Sequence, residues 1–222
     1  MVEYRIEHSP AYSLLKVWLK PGESITVEPG SYMLHKGEVE VKTSSGGILR
    51  GLSRMLMGGE SFFMNTVTAR SDVELWIAPG LAGDIAAVEL NGGSLVIQDG
   101  SYLAHIGDIE VSTAWRGLKG LLAEGELVWT RASGTGIVFI NSYGAMEQIN
   151  LGPGEKATID NAHFVALDDT VSWNVRKWGG WKTLFFGGEG IVLDVVGPGR
   201  VWVQTRNLPL FARIIRRFLP SS

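Results

Sequence analysis

The stretch EPGSYMLHKGEVEV, residues 28–41, decides the fold because the chain repeats it as QDGSYLAHIGDIEV at residues 98–111. A third and more divergent version, LGPGEKATIDNAHFVALDDTVSWNV, covers residues 151–175. The aromatic residues that align in the three versions are Tyr32, Tyr102 and Phe164. A phrase that recurs after tens of residues indicates a structural unit that packs against copies of itself.

A second phrase recurs in the same order, which sets the length of the unit. GGESFFMNTVTARSDVELWIAPG begins at Gly58, EGELVWTRASGTGIVFINSYG at Glu124 and GGEGIVLDVVGPGRVWVQTRN at Gly187. Each version reads as a strand, a tight turn and a second strand. The sequence therefore predicts one compact unit built of three repeats, at about residues 1–80, 81–144 and 145–207.

The apolar residues between the turns alternate with polar ones, which is the pattern of a half-buried β-strand. Residues 73–77 (VELWI) and 201–205 (VWVQT) are clear examples, and glycine, proline, asparagine or aspartate bounds each run. The chain contains 29 glycines, many in pairs or beside proline, as expected of turns between short strands. These features predict an all-β fold of three β-sandwich-like repeats in a pseudo-threefold arrangement.

The C-terminal stretch LPLFARIIRRFLP has a helical period, so residues 208–222 are predicted to form an amphipathic helix. Its apolar side chains recur at i, i+3, i+4 and i+7, and they are Phe211, Ile214, Ile215 and Phe218. Its other positions carry Arg213, Arg216 and Arg217. Such a helix docks on the β-structure or a partner subunit, or lies on a membrane surface with its arginines at the headgroups.

Short apolar segments with interleaved basic residues separate the two repeated phrases in each third of the chain. They carry three tryptophans, Trp115, Trp178 and Trp181. Together with the C-terminal helix, they form the predicted interface or membrane-contacting surface.

Composition excludes several classes of protein. The chain has no cysteine, which removes disulfides, thiolate catalysis and cysteine-ligated metal sites. Its net charge of −3 makes nucleic acid an unlikely partner. No stretch approaches the ~20 apolar residues of a spanning helix. We therefore expect a cytoplasmic protein that is at most peripheral to a membrane.

Two histidines occupy the same place in the first two repeats, and each precedes an acidic residue by three positions. The weak candidate metal ligands are His35 with Glu38 and His105 with Asp108. A regular strand places residues separated by an odd number on opposite faces. We therefore expect solvated polar side chains here, with no bound metal and no cofactor.

The phrases QDGSYLAHIGDIEV, GIVFINSYG and GGEGIVLDVVGPGRVWVQTRN resemble the family named for altered inheritance of mitochondria. That family is similar in fold to the tryptophan RNA-binding attenuation protein. The resemblance spans about residues 4–207. It implies three β-sandwich repeats per chain and frequent assembly as trimers, and it implies no enzymatic activity.

The leading hypothesis is a non-enzymatic scaffold or binding protein that forms a homo-oligomer, with a trimer as the expected size. Its contacts would be a protein partner or a membrane surface. The turn and strand chemistry recurs three times, whereas no reactive set of side chains does. Two alternatives remain at this point, a metal-dependent cupin-like enzyme and an RNA-binding ring protein.

Overall fold

The computed structural model describes residues 2–45, 63–117, 127–178 and 190–219. The strands of the first third are β1 (Glu3–Glu7), β2 (Leu14–Leu19), β3 (Ser24–Val27), β4 (Tyr32–Lys36), β5 (Val39–Ser45), β6 (Phe63–Ala69) and β7 (Val73–Ile77). The middle third has β8 (Ile85–Ile97), β9 (Tyr102–Gly117) and β10 (Leu127–Asn141). The last third has β11 (Met146–Leu151), β12 (Lys156–Asp160), β13 (Phe164–Asp168), β14 (Ser172–Lys177), β15 (Ile191–Val196) and β16 (Gly199–Gln204). A single turn of 3-10 helix, Asn161–His163, precedes β13, and helix α1 spans Leu208–Arg216.

The prediction of a mostly β protein with one short C-terminal helix is confirmed. The described strands form three sheets, with the orders β1-β2-β7-β4, β11-β16-β13-β8-β10-β9-β3-β6-β5 and β12-β15-β14. The alternating runs that predicted strands at 73–77 and 201–205 correspond to β7 and β16. The pseudo-threefold relation between the thirds of the chain stays a prediction.

Strand pairing follows the same scheme in the first and last thirds of the chain. In the first third, β2 pairs with β7, β7 with β4, β3 with β6, and β6 with β5. In the last third, β11 pairs with β16, β16 with β13, β12 with β15, and β15 with β14. In the middle third, the long strand β10 pairs with β8 on one side and with β9 on the other. Each of these long strands corresponds to two short strands of the other thirds.

Two further pairings connect successive thirds. Strand β3 pairs with β9, with Thr26 opposite His105 and Val27 opposite Ala104. Strand β8 pairs with β13 through three residue pairs, one of which is Ile97 opposite Ala166. We call these the first and second junctions. They merge strands from all three thirds into the nine-stranded sheet.

A β-bulge occurs at the same place in each third. The register shifts between Tyr32 and Leu34 in β4, at the equivalent step of β9, and between Phe164 and Ala166 in β13. A bulge releases the extra residue from its own ladder. In both junctions the released carbonyl accepts a hydrogen bond from the preceding third. Glu28 N donates to Leu103 O at 2.9 Å, and Gln98 N donates to Val165 O at 2.8 Å.

Among the described residues, the apolar core consists of three clusters, and each junction covers one of the first two. The first cluster, around β2, β3 and β7, also contains Leu103, Ala104 and Phe139 of the middle third. The second contains Val165, Ala166 and Trp202 of the last third. The third centres on Trp129, whose ring centroid lies 4.8 Å from that of Phe164 and 4.9 Å from that of Trp173.

One expected turn is part of a strand. The residues SGTG, at 133–136, have the composition of a hairpin turn but lie inside β10. Gly134 has φ +132° and faces the Asp108 carbonyl so closely that a β-carbon would overlap it. The glycine therefore permits the backbones of β10 and β9 to approach closely, and β10 continues here, with a register shift against β8, instead of reversing.

Candidate functional site

The first junction buries a polar pair. Tyr102 Oη and His105 Nδ1 lie 2.7 Å apart, and the two residues are only 4% and 8% exposed. Residues three apart on a regular strand face opposite sides, but the bulge at Leu103 inserts one extra residue. The bulge thereby places the phenol and the imidazole on the same face.

Burial governs the electrostatics of this pair and of Glu28 beside it. Burial, helped by the charge of Asp99, raises the pKa of Glu28 from 4.5 to about 7. Burial lowers the pKa of His105 from 6.5 to about 4. Burial and then the nearby charge of Glu28 raise the pKa of the Tyr102 phenol. Near neutral pH, the imidazole and the phenol are therefore both uncharged.

This arrangement suits a structural contact better than a catalytic one. An efficient general acid or base has a pKa near the working pH. The pKa of His105, about 4, is far below neutrality, and its Nδ1 is engaged by Tyr102. The pair is thus a buried, hydrogen-bonded contact within β9, and Glu28 of the first third lies close enough to act on it electrostatically.

The same pair exists in the first third, where it is exposed to solvent. Tyr32 Oη and His35 Nδ1 lie 2.9 Å apart on β4, and Tyr32 is 48% exposed. The last third replaces the pair with the apolar Phe164 and Leu167, both fully buried. From the sequence, the histidine was expected to be a solvated polar side chain, and no contact with the aromatic residue was predicted. The signal that was available is the Tyr-x-x-His spacing, which occurs in two repeats and follows an acidic residue closely in each.

The candidate metal ligands do not converge in the structure. His105 is buried whereas Asp108 is exposed, and both lie on β9. Glu38 is exposed, and its backbone N–H donates to Ser71 Oγ at 2.9 Å. Among the described residues, no three His, Asp or Glu side chains are grouped so that they could hold a metal ion.

Helix α1 is the most exposed apolar element of the described chain. Asn207 caps it, with Oδ1 accepting from Leu210 N at 2.8 Å. Phe211, Ile214 and Ile215 are 44%, 45% and 41% exposed, respectively. Phe218, which follows the helix, is 80% exposed. Among the described residues, one ring contact joins the helix to the rest of the chain, between Phe211 and Tyr143, whose ring centroids lie 5.8 Å apart.

The basic residues of the predicted surface are also exposed. Arg213 and Arg216 lie on the helix, and Arg217 forms its C-cap. Trp178 is 41% exposed, and the Arg176 guanidinium lies 5.5 Å from its ring centroid.

Two tryptophans of the predicted interface or membrane-contacting surface are not fully described by the structure. Trp181 lies outside the described residues. The backbone at Trp115 belongs to β9, and its side chain is not described.

Comparison with known proteins assigns the chain to a family. Residues 4–206 match the family model for mitochondrial biogenesis AIM24. The chain belongs to the AIM24 family. This confirms the resemblance recognised in the repeated phrases.

Two relatives of this AIM24-family chain come from Streptococcus pyogenes. An uncharacterised protein of serotype M6 is 28% identical over 230 residues, which cover 100% of this chain and 92% of that protein. A protein from the same species with a crystal structure is 28% identical, with a TM-score of 0.81 over 99% of this chain and 100% of that chain. Neither name states an activity. Among its described residues, this AIM24-family chain has no helix of the length and apolarity needed to cross a membrane.

The raised pKa of Glu28 predicts a specific dependence of stability on pH. Between pH 4.5 and about 7 the folded state keeps a proton that the unfolded state has lost, so the free energy of unfolding falls as pH rises through this window. Glu28→Gln removes that titration. We expect the difference in unfolding free energy, variant minus wild type, to rise by about 2–3 kcal/mol across the window and then level off.

Urea denaturation at a series of pH values measures this difference. The opposite pH dependence of His105 is present in both proteins and cancels to a first approximation. Glu110→Gln, on the exposed face of β9, controls for the loss of a carboxylate. A difference for Glu28→Gln that stays constant from pH 4.5 to pH 7 would contradict the raised pKa.

Proposed function

We propose that the protein is a non-enzymatic scaffold that assembles as a homo-oligomer and binds the surface of anionic membranes through helix α1. The observation that carries this proposal is the exposed apolar face of α1, flanked by arginines. Side chains such as Ile214 and Ile215 are left at 45% and 41% exposure, and no residue of α1 is buried. An apolar helix face of this kind is stabilised by burial against another surface.

Charge favours an anionic membrane as that surface. After Asp194 the chain carries no acidic residue but five arginines. Each Arg near an anionic bilayer contributes about 1 kcal/mol of attraction. Phenylalanine and isoleucine on one face with arginine on the other is the composition of a helix that lies in the interface.

The scaffold part of the proposal rests on repeated architecture. The four strand pairings of the first third recur in the last third. The bulge recurs in all three thirds, whereas the Tyr–His pair does not. We propose that the three thirds are structural repeats, whose elements are retained for packing and assembly rather than for chemistry.

Flotation with lipid vesicles tests the membrane contact. The full-length protein should float with vesicles of phosphatidylcholine and phosphatidylserine and much less with phosphatidylcholine alone. The double variant Ile214→Glu, Ile215→Glu should bind at least about 100-fold more weakly. Each of the two apolar side chains contributes about 1.5–3 kcal/mol when buried. Deletion of residues 209–222 should abolish flotation.

A matched control separates this effect from a general change in charge. Tyr12 and Val41 are 75% and 54% exposed on the β-structure. The double variant Tyr12→Glu, Val41→Glu adds the same charge away from α1 and should float like the wild type. Failure of the wild type to float, or flotation that the α1 variants leave unchanged, would overturn membrane binding by this helix.

A further inference from the structure

Helix α1 is held against the β-structure by the residues just before it. Hydrogen bonds join the end of β16 to the connection between β10 and β11. Thr205 N donates to Ala145 O at 3.0 Å, and Arg206 N donates to Tyr143 O at 3.2 Å. Ala145 N donates to Thr205 Oγ1 at 3.0 Å, and Tyr143 N donates to Gln204 Oε1 at 2.8 Å. The helix therefore starts from a fixed position on the β-structure.

Two close contacts set the direction of the helix. Gly144 has φ +81°, and a β-carbon there would lie 2.5 Å from Arg206 Cγ and 2.6 Å from Thr205 Oγ1. The absence of a side chain thus lets the two segments approach. In the first turn of α1, the Phe211 ring lies 5.8 Å from the Tyr143 ring, measured between centroids. The connection at residues 141–146 therefore contacts both the approach to the helix and its first turn.

The same connection also touches the segment between β7 and β8. Gly144 N donates to Ala82 O at 3.0 Å. Leu81, the neighbour of Ala82, is 39% exposed, and Leu210 on α1 is 49% exposed. Exposed apolar residues thus continue from the helix across the β10–β11 connection to the β7–β8 connection. We call these three segments the α1 surface, and they are residues 78–83, 141–146 and 205–219.

The α1 surface carries charge of one sign. It contains no acidic residue, and its four arginines are Arg206, Arg213, Arg216 and Arg217. All four are exposed. Asp84, which follows the first segment, is 9% exposed and accepts a hydrogen bond from Ser13 Oγ at 2.7 Å, so its carboxylate is engaged inside the protein. Exposed arginines beside leucine, phenylalanine and tyrosine match an anionic bilayer, where aromatic rings lie at the level of the headgroups.

We propose that an anionic membrane contacts the whole α1 surface, with Leu81 and Tyr143 entering the headgroup region beside the helix. This inference rests on the proposed function and adds the orientation in which the β-structure meets the bilayer. A helix on a flexible linker would leave the rest of the chain free to turn. Here the fixed attachment brings the two connections to the bilayer when α1 lies in it. Tyrosine suits that depth, because its ring is apolar and its hydroxyl is polar.

Fluorescent probes on single cysteines test the orientation, and the chain has no native cysteine to take up label. An environment-sensitive NBD group is attached to Leu81→Cys, Leu210→Cys or Val41→Cys protein. Vesicles of phosphatidylcholine and phosphatidylserine are then added. We expect the emission from positions 81 and 210 to rise at least about twofold, because each probe leaves water for an apolar environment. The probe at Val41 should not respond, since β5 lies at the end of the nine-stranded sheet remote from β16.

The three probes distinguish this inference from the proposed function. A response at Leu210 without one at Leu81 would show that the helix binds alone. That result would overturn the extended contact and leave membrane binding by α1 intact. No response at Leu210 would overturn membrane binding by α1, and the extended contact with it. Equal responses at all three positions would overturn the defined orientation.

Substitution of Leu81 measures what this residue contributes to binding. Leu81→Glu should weaken binding to the same vesicles by about tenfold or more, because it replaces a buried leucine with a carboxylate near anionic lipid. Leu81→Phe keeps an apolar side chain and should bind like the wild type. Far-ultraviolet circular dichroism should be the same for both variants, since the side chain is exposed. Unchanged affinity of Leu81→Glu would overturn the contact at this position.

A flexible insertion tests the role of the fixed attachment. Gly-Ser-Gly inserted between Arg206 and Asn207 keeps the helix, its cap and its arginines but separates them from Tyr143. With the insertion, the probe at Leu210 should respond to vesicles as before, and the probe at Leu81 should lose its response. A response at Leu81 that survives the insertion would show that the attachment does not orient the β-structure, which would overturn this part of the proposal.

Discussion

Replacing Trp129 with alanine is expected to lower the free energy of unfolding by about 3–5 kcal/mol, the usual cost of removing a large aromatic from a core. The indole is fully buried. It contacts the rings of Phe164 and Trp173, at 4.8 Å and 4.9 Å between centroids. Trp129 belongs to the middle third and its two partners belong to the last, so the substitution weakens the contact between two thirds of the chain. Chemical denaturation followed by far-ultraviolet circular dichroism measures the loss.

Trp178→Ala is the control for Trp129→Ala. Trp178 is 41% exposed, so its truncation should change the unfolding free energy by less than about 1 kcal/mol. Phe164→Ala should resemble Trp129→Ala, and the double variant should cost less than the sum of the two, because both remove the same ring contact. Equal costs for Trp129→Ala and Trp178→Ala would show that Trp129 does not hold the two thirds together.

Gly83→Ala is expected to cost about 2–4 kcal/mol, although it adds a single methyl group. Gly83 lies between β7 and β8, where a β-carbon would overlap the carbonyl of Ser142. Two backbone hydrogen bonds flank this approach, from Ser142 N to Asp84 O and from Gly144 N to Ala82 O, both at 3.0 Å. The methyl group would force the two segments apart and lengthen both bonds. Thermal unfolding and hydrogen exchange at residues 142–144 measure the effect.

Gly80→Ala provides the comparison for Gly83→Ala. Gly80 lies in the same connection, and no atom lies within 4 Å of the position its β-carbon would take. Its substitution should leave stability unchanged or slightly higher, because alanine reduces the freedom of the unfolded chain. Similar destabilisation by both substitutions would mean that the connection resists any change, and that the approach to Ser142 is not the cause.

Local patterns were sufficient for some elements. The alternation in VELWI predicted β7, because a half-buried strand needs an apolar residue at every second position. Helix α1 followed from the spacing of its apolar residues. The same spacing predicts an apolar face on that helix, but a helical period does not indicate which surface covers the face.

Other features depended on contacts between distant residues. The glycines at 133–136 predicted a turn, but in β10 they permit close approach to β9, which only the strand pairing reveals. The Tyr102–His105 pair was missed because a bulge reverses the strand alternation that sequence reasoning assumed. A bulge is a property of two paired strands, so the sequence of one strand does not indicate it.

The sequence by itself determined that this protein is made mostly of β-strands and has a short C-terminal helix, because those properties depend on residues close together in the chain. The tertiary structure alone decided which copy of an equivalent residue is buried. Tyr32 and Tyr102 stand in nearly the same local sequence, yet one is 48% exposed and the other 4%. The physical reason is that burial depends on the neighbouring third, and among the described residues β4, which carries Tyr32, has no such neighbour in its own chain.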